Sequence, residues 1–211
     1  MTPATGSTSC PWPDHVAPRP APRLKISRVT TLPSGAPSPA AADPCILLIA
    51  GVSGSGKSTI GALLAQRLGW QYAEADDFHP DANLAKMVAG HPLDDDDRRP
   101  WLANIAAWID ASTAAGRPAV VSCSALKRSY RDVLREGRPN VRLVYLDADK
   151  QTIRARLSSR RGHFFPASLL DSQFADLEPP TDDERPYRVP VTAESRPDDI
   201  VEHLVESRIC D

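Results

Sequence analysis

From Cys45 the chain runs Ile-Leu-Leu-Ile-Ala to position 50, an apolar stretch with no alternation. A run of that length without a polar face predicts a strand covered on both sides, as in a parallel sheet. It leads into Gly51-Val-Ser-Gly-Ser-Gly-Lys-Ser-Thr59; Ile60, Leu63, Leu64 and Leu68 then recur at helical spacing until Gly69 closes the helix. Further strands are predicted at Gln71–Ala73, Ala119–Ser122, Val141–Leu146 and Tyr187–Val191. Helices are predicted at Asn83–Ala89, Pro100–Ala115, Arg128–Arg135, Lys150–Arg160, Pro166–Leu177 and Pro197–Ser207. Strands alternating with helices imply βαβ units and a central parallel sheet. Residues 44–211 thus read as one α/β domain without internal repeats.

The first 43 residues differ. Ten of the 21 prolines fall within the first 44 positions, among Ser, Thr and Ala and without aliphatic periodicity. Such a segment buries too little apolar surface to offset its ordering entropy, so residues 1–43 are expected to be a disordered tail. Its cations Arg19, Arg23, Lys25 and Arg28 outnumber Asp14 and Asp43. It nevertheless lacks the amphipathic face of a transit peptide and the apolar core of a secretory signal.

Composition then narrows the function. Across 211 residues, 25 Lys+Arg against 27 Asp+Glu leave a net charge of -2. That gives no basic footprint for nucleic acid. No apolar run approaches the ~18–20 residues of a membrane span. The four cysteines, Cys10, Cys45, Cys123 and Cys210, are far apart and form no CxxC pair. They read as reduced thiols of a cytoplasmic protein rather than a disulfide scaffold or zinc ribbon.

The chemistry begins at Gly51-x4-Gly56-Lys57-Ser58, a complete Walker A pattern between a strand and a helix. The loop backbone of Gly51, Ser53, Gly54, Ser55 and Gly56, continued by Lys57, Ser58 and Thr59, is expected to cradle the phosphates of a nucleoside triphosphate. Lys57 would reach the β- and γ-oxygens, and the Ser58 hydroxyl would join a Mg²⁺ shell. No Asn-Lys-x-Asp segment is present to read guanine. The apolar strand Ala119–Ser122 ends in Ser122-Cys-Ser124, without the acid of a motor ATPase. Carboxylates instead follow the second strand, in Glu74-Ala-Asp76-Asp77, at the sheet edge where ligands bind. That suits a kinase, with one acid near the metal and one facing the acceptor hydroxyl.

The segment Glu74-Ala-Asp-Asp-Phe-His-Pro80, with Asn83, Lys86-Met87, Gly90 and Pro92-Leu93, resembles the P-loop gluconokinases. So do Asp95-Asp-Asp-Arg98 with Pro100-Trp-Leu102, Ser122-Cys-Ser-Ala-Leu-Lys127 with Tyr130-Arg-Asp132, Arg160-Arg-Gly-His-Phe-Phe165, and Ser172-Gln-Phe174 with Leu177-Glu178. The resemblance covers nearly all of Ile46–Val205. It implies ATP-dependent phosphorylation of D-gluconate to 6-phosphogluconate, and usually a homodimer. It also implies a P-loop NTPase fold like that of the nucleoside-monophosphate kinases and related to shikimate kinase: three layers, a central parallel sheet of about five strands and a mobile lid. The Pro-rich N-terminus departs from the family.

Roles follow residue by residue. By analogy with shikimate kinases, Asp76 would orient and deprotonate the attacking hydroxyl; the alternative is a helix N-cap. Glu74 is a candidate ligand to a metal-bound water, and His79 a candidate substrate contact. The run Asp94–Asp97 leads into a helix start at Pro100, with Asp96 and Asp97 capping and Arg98 pointing into the cleft. Lys127 and Arg131, after the third strand, are candidates for a substrate carboxylate; Arg131 could instead pair with Asp132 or Glu136 on a helix surface. Trp101 and Trp108, seven apart, read as core, and Cys123 as a buried small residue rather than a nucleophile. The resemblance carries nucleotide contact to Arg156 and transition-state contact to Arg160, leading into a lid at Gly162-His163-Phe164-Phe165-Pro166 with a glycine hinge. Two alternatives stay open: a kinase of the same fold acting on shikimate, a nucleotide or an antibiotic, and a nucleotide-binding regulator without catalysis.

Overall fold

A computed structural model describes residues 43–159 and 167–210. The tail expected over residues 1–43 (apart from Asp43), the candidate Arg160 and the expected lid at 161–166 lie outside the described residues.

Five strands form one sheet among the described residues: β1 (Ile46–Ala50), β2 (Gln71–Glu74), β3 (Ala119–Ser122), β4 (Val141–Asp147) and β5 (Tyr187–Pro190). Their order is β2-β3-β1-β4-β5, and every pairing is parallel. The helices are α1 (Lys57–Leu68), α2 (Asp81–Val88), α3 (Asp95–Ala114), α4 (Arg128–Arg135), α5 (Lys150–Ser159), α6 (Ala167–Asp176) and α7 (Pro197–Glu206). All five β1 residues are buried, because both faces of the sheet are covered. Alternate side chains of the central strands enter two separate cores. Leu47, Ile49 and Val144 pack with Ile60 and Leu64 of α1 and Leu204 of α7. Ile46, Leu48 and Val121 pack with Leu102, Ile105 and Ile109 of α3 and Leu134 of α4.

The predicted elements are present, with one boundary off by more than a turn. α3 begins at Asp95 rather than at Pro100. Asp94 accepts from the Asp97 N–H and the Asp97 carboxylate accepts from the Asp94 N–H, both at 2.9 Å. This capping box starts the helix upstream of the proline. Capping therefore belongs to Asp94 and Asp97; Asp96 pairs with Arg99 at 3.0 Å on the surface. Pro100 is tolerated because it removes one bond near the helix end, to the carbonyl of exposed Asp96.

The cysteine reading needs correction. Cys45, just before β1, and Cys210, after α7, form a disulfide with Cα atoms 5.8 Å apart across a sequence separation of 165. Spacing along the chain conceals this because the α7 packing on α1 returns the C-terminus to the start of β1. Cys123 is a free, buried thiol, as expected. Among the described residues no helix is long and apolar enough to cross a membrane.

Candidate active site

The carboxyl ends of β1, β2 and β3 open on one edge of the sheet. The loops leaving them carry the Walker A segment, Glu74–Asp76 and Ser122–Ser124. At β1 the strand order reverses, and the crevice beside such a point is where open α/β sheets bind ligands. Gly51 N–H donates to the Ser124 carbonyl at 3.2 Å, fastening the loop to the end of β3. Gly51 has φ 144°, and a Cβ there would stand 2.9 Å from the Leu146 carbonyl, so no other residue fits. The Ser55 hydroxyl inside this loop is buried and has no hydrogen-bond partner.

Lys57 opens α1 and donates from Nζ to the Val52 carbonyl at 3.0 Å. Burial pushes its pKa below the ordinary lysine value, against the attraction of Cys123, Asp76 and Glu74. A cation taken from water and held by a carbonyl is primed for an anion. The cleft in front of it measures about 420 Å³; Ser58, Thr59, Glu74, Asp76 and Gln173 are among its lining residues. Asp76 lies in a 3₁₀ turn, Ala75–Phe78, and caps no helix. Burial pushes its carboxyl up, as does the neighbouring Glu74 charge, against the pull of His79 and Lys57. That direction suits a group that accepts a proton near neutral pH. Burial pushes the Cys123 thiol up to about 12, which disfavours the thiolate a nucleophile needs.

The turn carrying Asp76 is braced from α3. Trp101 Nε1 donates to the Ala75 carbonyl at 2.7 Å, and the Trp101 ring stacks on His79 with centroids 4.7 Å apart and planes 10° from parallel. Trp101 is core, as its spacing predicts, and it also supports the site. His79 Nδ1 lies 3.4 Å from the Asn83 amide, and burial lowers the pKa of the ring, keeping it neutral.

The structure separates the candidate substrate cations. Arg98 and Lys127 line an adjacent depression of about 520 Å³ with Asp95 and Asp176, whereas Asp76 lines the phosphate cleft. The charges of Asp76 and Arg98 both act on His79. Lys127 donates to both Asp95 oxygens at 2.8 and 2.9 Å, and Arg98 donates to the Tyr130 hydroxyl at 3.0 Å. Tyr130 in turn donates to Asp95. Asp95, to which the sequence reading assigns no role, is therefore a carboxylate already held by the cations expected to take a substrate carboxylate.

Arg131 is not in the cleft. It is buried, donates to the Glu184 carboxylate at 2.6 and 2.8 Å, and donates to the carbonyls of Ala125 and Leu126 at 3.1 and 3.0 Å. Neither the substrate role nor a surface pair with Asp132 or Glu136 describes it. The signal was absent from local sequence, because Glu184 lies 53 positions away.

Arg156 reaches the Walker A loop, donating to the Ser55 carbonyl at 3.5 Å as well as to the Thr192 and Ser195 carbonyls at 2.7 and 3.0 Å. Gln173 on α6, quoted above only as part of the resemblance, grips the phosphate loop. Ser53 N–H donates to its Oε1 at 2.7 Å, and its Nε2 donates to Ser53 Oγ at 2.9 Å.

Hard oxygen donors at Ser58, Glu74 and Asp76 fit Mg²⁺. Among the described residues no cluster of three or more His, Cys, Asp or Glu could hold a metal. Two carboxylates and a hydroxyl suit a cation that shares its remaining positions with water and nucleotide phosphates.

A Walker A loop at the switch point of a parallel five-stranded sheet, with carboxylates from the adjoining strand on the same cleft, defines a P-loop kinase of the nucleoside-monophosphate-kinase type. A family model described as an AAA domain matches residues 46–180. A gluconokinase of Gluconobacter oxydans (strain 621H) is 48% identical over 162 residues, which cover 77% of this chain and 90% of that protein. The crystal structure of a gluconokinase from Sinorhizobium meliloti 1021 matches with a TM-score of 0.69 at 42% identity, covering 79% of this chain and 94% of that one. A shikimate kinase from Bacteroides thetaiotaomicron, 15% identical, shares the fold with a TM-score of 0.52 over 77% of this chain and 97% of its own. The chain belongs to the gluconokinase family.

Proposed function

We infer that the protein transfers the γ-phosphoryl group of ATP to the 6-hydroxyl of D-gluconate, forming 6-phosphogluconate and ADP. The observation that carries this reading is that half-buried Lys57 lines one cleft together with Asp76, in a chain of the gluconokinase family. Asp76 orients the sugar hydroxyl and takes its proton as the oxygen bonds to the γ-phosphorus. The bond from that phosphorus to the bridging oxygen of ADP breaks in the same transfer. Lys57 and the loop N–H groups hold the charge on the phosphate oxygens. Ser58 and Glu74 would hold Mg²⁺ with the nucleotide, and the ion would neutralise phosphate charge. Arg98 and Lys127 receive the gluconate carboxylate in place of Asp95, and His79 donates to a sugar hydroxyl. Arg156 flanks the nucleotide, and Arg160 is assigned to the transferring phosphoryl group by resemblance alone.

Use of ATP supports action in the cytoplasm, and the Cys45–Cys210 disulfide is the feature at odds with that setting. A homodimer rests on the resemblance and is tested by the mass in solution. The deciding experiment is mass detection of products from ATP and Mg²⁺ with gluconate, glucose, shikimate or a nucleoside monophosphate, with Asp76→Asn as control. Phosphogluconate from the wild type alone supports the inference. A phosphorylated shikimate or nucleotide would assign another kinase, and ATP binding without any product would assign a regulator.

A further inference from the structure

Glu74, which lines the phosphate cleft, is held from behind by two hydroxyls, those of Tyr72 and Ser122, to which the transfer chemistry gives no part. The Tyr72 hydroxyl donates to Glu74 Oε2 at 2.7 Å and lies 2.8 Å from Ser122 Oγ and 3.3 Å from the Ser58 carbonyl. Ser122 Oγ donates to Glu74 Oε1 at 2.7 Å. Each carboxylate oxygen of Glu74 thus meets a different hydroxyl. The geometry follows from the sheet: Tyr72 and Glu74 are two apart on β2 and share a face, while Glu74 and Ser122 are direct register partners on β2 and β3.

The sequence accommodates this cluster at a structural cost. Gly61 lies inside α1, where alanine would favour the helix. A Cβ at Gly61 would stand 2.8 Å from Tyr72 Cε2, so the glycine admits the tyrosine ring. Packing alone is no reason for the hydroxyl, since phenylalanine would fill the same space. Ser122 is fully buried, so its hydroxyl depends on its protein partners. A glutamate at a strand end otherwise samples several rotamers. Two donors from neighbouring strands hold its carboxylate in one orientation and leave each oxygen a further lone pair.

We propose that Tyr72 and Ser122 are positioning residues that fix the Glu74 carboxylate for the hydrated divalent cation accompanying the nucleotide. The Tyr72 ring also lies against Gly61 of α1, the helix whose first turn presents Ser58. The proposal rests on the reading of Glu74 and Ser58 as the metal side of the cleft.

The probe is Mn²⁺, with its binding to the full chain in the presence of ADP followed by electron paramagnetic resonance. Wild type is compared with Tyr72→Phe, Ser122→Ala and Glu74→Gln. Partners that orient a metal-side ligand typically contribute about 10- to 100-fold in metal affinity. Tyr72→Phe and Ser122→Ala are each expected to weaken Mn²⁺ by about tenfold, with ADP affinity in the absence of metal unchanged. In turnover, half-saturation by Mg²⁺ rises while KM for gluconate stays put. If Glu74→Gln weakens Mn²⁺ but neither hydroxyl variant does, the positioning role is overturned and the metal role of Glu74 stands. If all three bind Mn²⁺ as the wild type does, both fall. A lower Tm with unchanged Mn²⁺ affinity makes the cluster purely structural and overturns the proposal; either hydroxyl variant suffices if the other fails to fold.

Discussion

The Arg131–Glu184 pair is where structural and substrate-binding roles predict opposite experiments. The two side chains are 1% and 3% exposed, and the guanidinium also holds the carbonyls of Ala125 and Leu126. Arg131→Met leaves a buried carboxylate without its cation, which costs about 3–5 kcal/mol. At roughly 2–4 °C per kcal/mol for a domain of this size, Tm should fall by about 6–20 °C. Arg131→Met with Glu184→Leu should recover part of that loss, because no charge is left unpaired. Burial raises the Glu184 carboxyl, but hydrogen bonds from Arg131 and the Thr181 N–H outweigh it and hold the pKa below 4.5. The pair's contribution is therefore complete above pH 4.5 and fades as pH falls through the lower folded value. In Arg131→Met the unpaired carboxyl titrates at higher pH, so the Tm gap to wild type should narrow on acidification. Thermal melts from pH 7.5 to 4, with steady-state kinetics well below Tm, measure all of this. A Tm within about 2 °C of wild type, combined with a large rise in KM for gluconate, would refute the reasoning and return Arg131 to the substrate.

Arg98→Ala should lower kcat/KM for gluconate by roughly 10- to 150-fold, the worth of about 1.5–3 kcal/mol for a charged hydrogen bond, and leave any glucose turnover untouched; equal losses on both sugars would place the carboxylate elsewhere. Arg98→Lys should rescue only in part, since it keeps the charge without the fork. A chain starting at Ala42 should melt and turn over as the full chain does, because the residues before Pro44 carry no apolar periodicity; loss of either property would show that the tail docks. Cys45→Ser should cost about 2–5 kcal/mol of stability, since the bond closes a loop of 165 positions. Dithiothreitol should lower the wild-type Tm equally and leave the variant alone, and a wild-type Tm indifferent to reductant would mean that the bond does not form.

The elements and the phosphate loop were legible because their causes are local. An unbroken apolar run, a glycine pattern that permits positive φ, and a 3.6-residue repeat each act over a dozen residues or fewer. The strand and helix order of the P-loop domain, and the placing of Glu74 and Asp76 at the loop's edge of the sheet, therefore followed from the chain alone. The start of α3 departs from the expectation although its cause is also local: a proline marks a helix start by its fixed φ, but the Asp94–Asp97 capping box upstream of it supplies the hydrogen bonds that begin this one.

The partners of the charged and polar side chains were decided by tertiary structure. Arg131 and Glu184 are 53 positions apart, Tyr72 and Ser122 are 50, Ser53 and Gln173 are 120, and Cys45 and Cys210 are 165. An arginine, a tyrosine or a cysteine has the same propensity whether it faces substrate, metal or the interior. What distinguishes those fates is which group lies within hydrogen-bonding or bonding distance once the sheet order β2-β3-β1-β4-β5 is set. That order brings β2 beside β3, so that a tyrosine, a serine and a glutamate meet; the return of α7 onto α1 closes the chain's described ends on each other. Sequence alone thus determined the class of reaction this cleft can run, and the fold determined which of its charged residues remain available to run it, because burial leaves a charge no choice but its nearest partner.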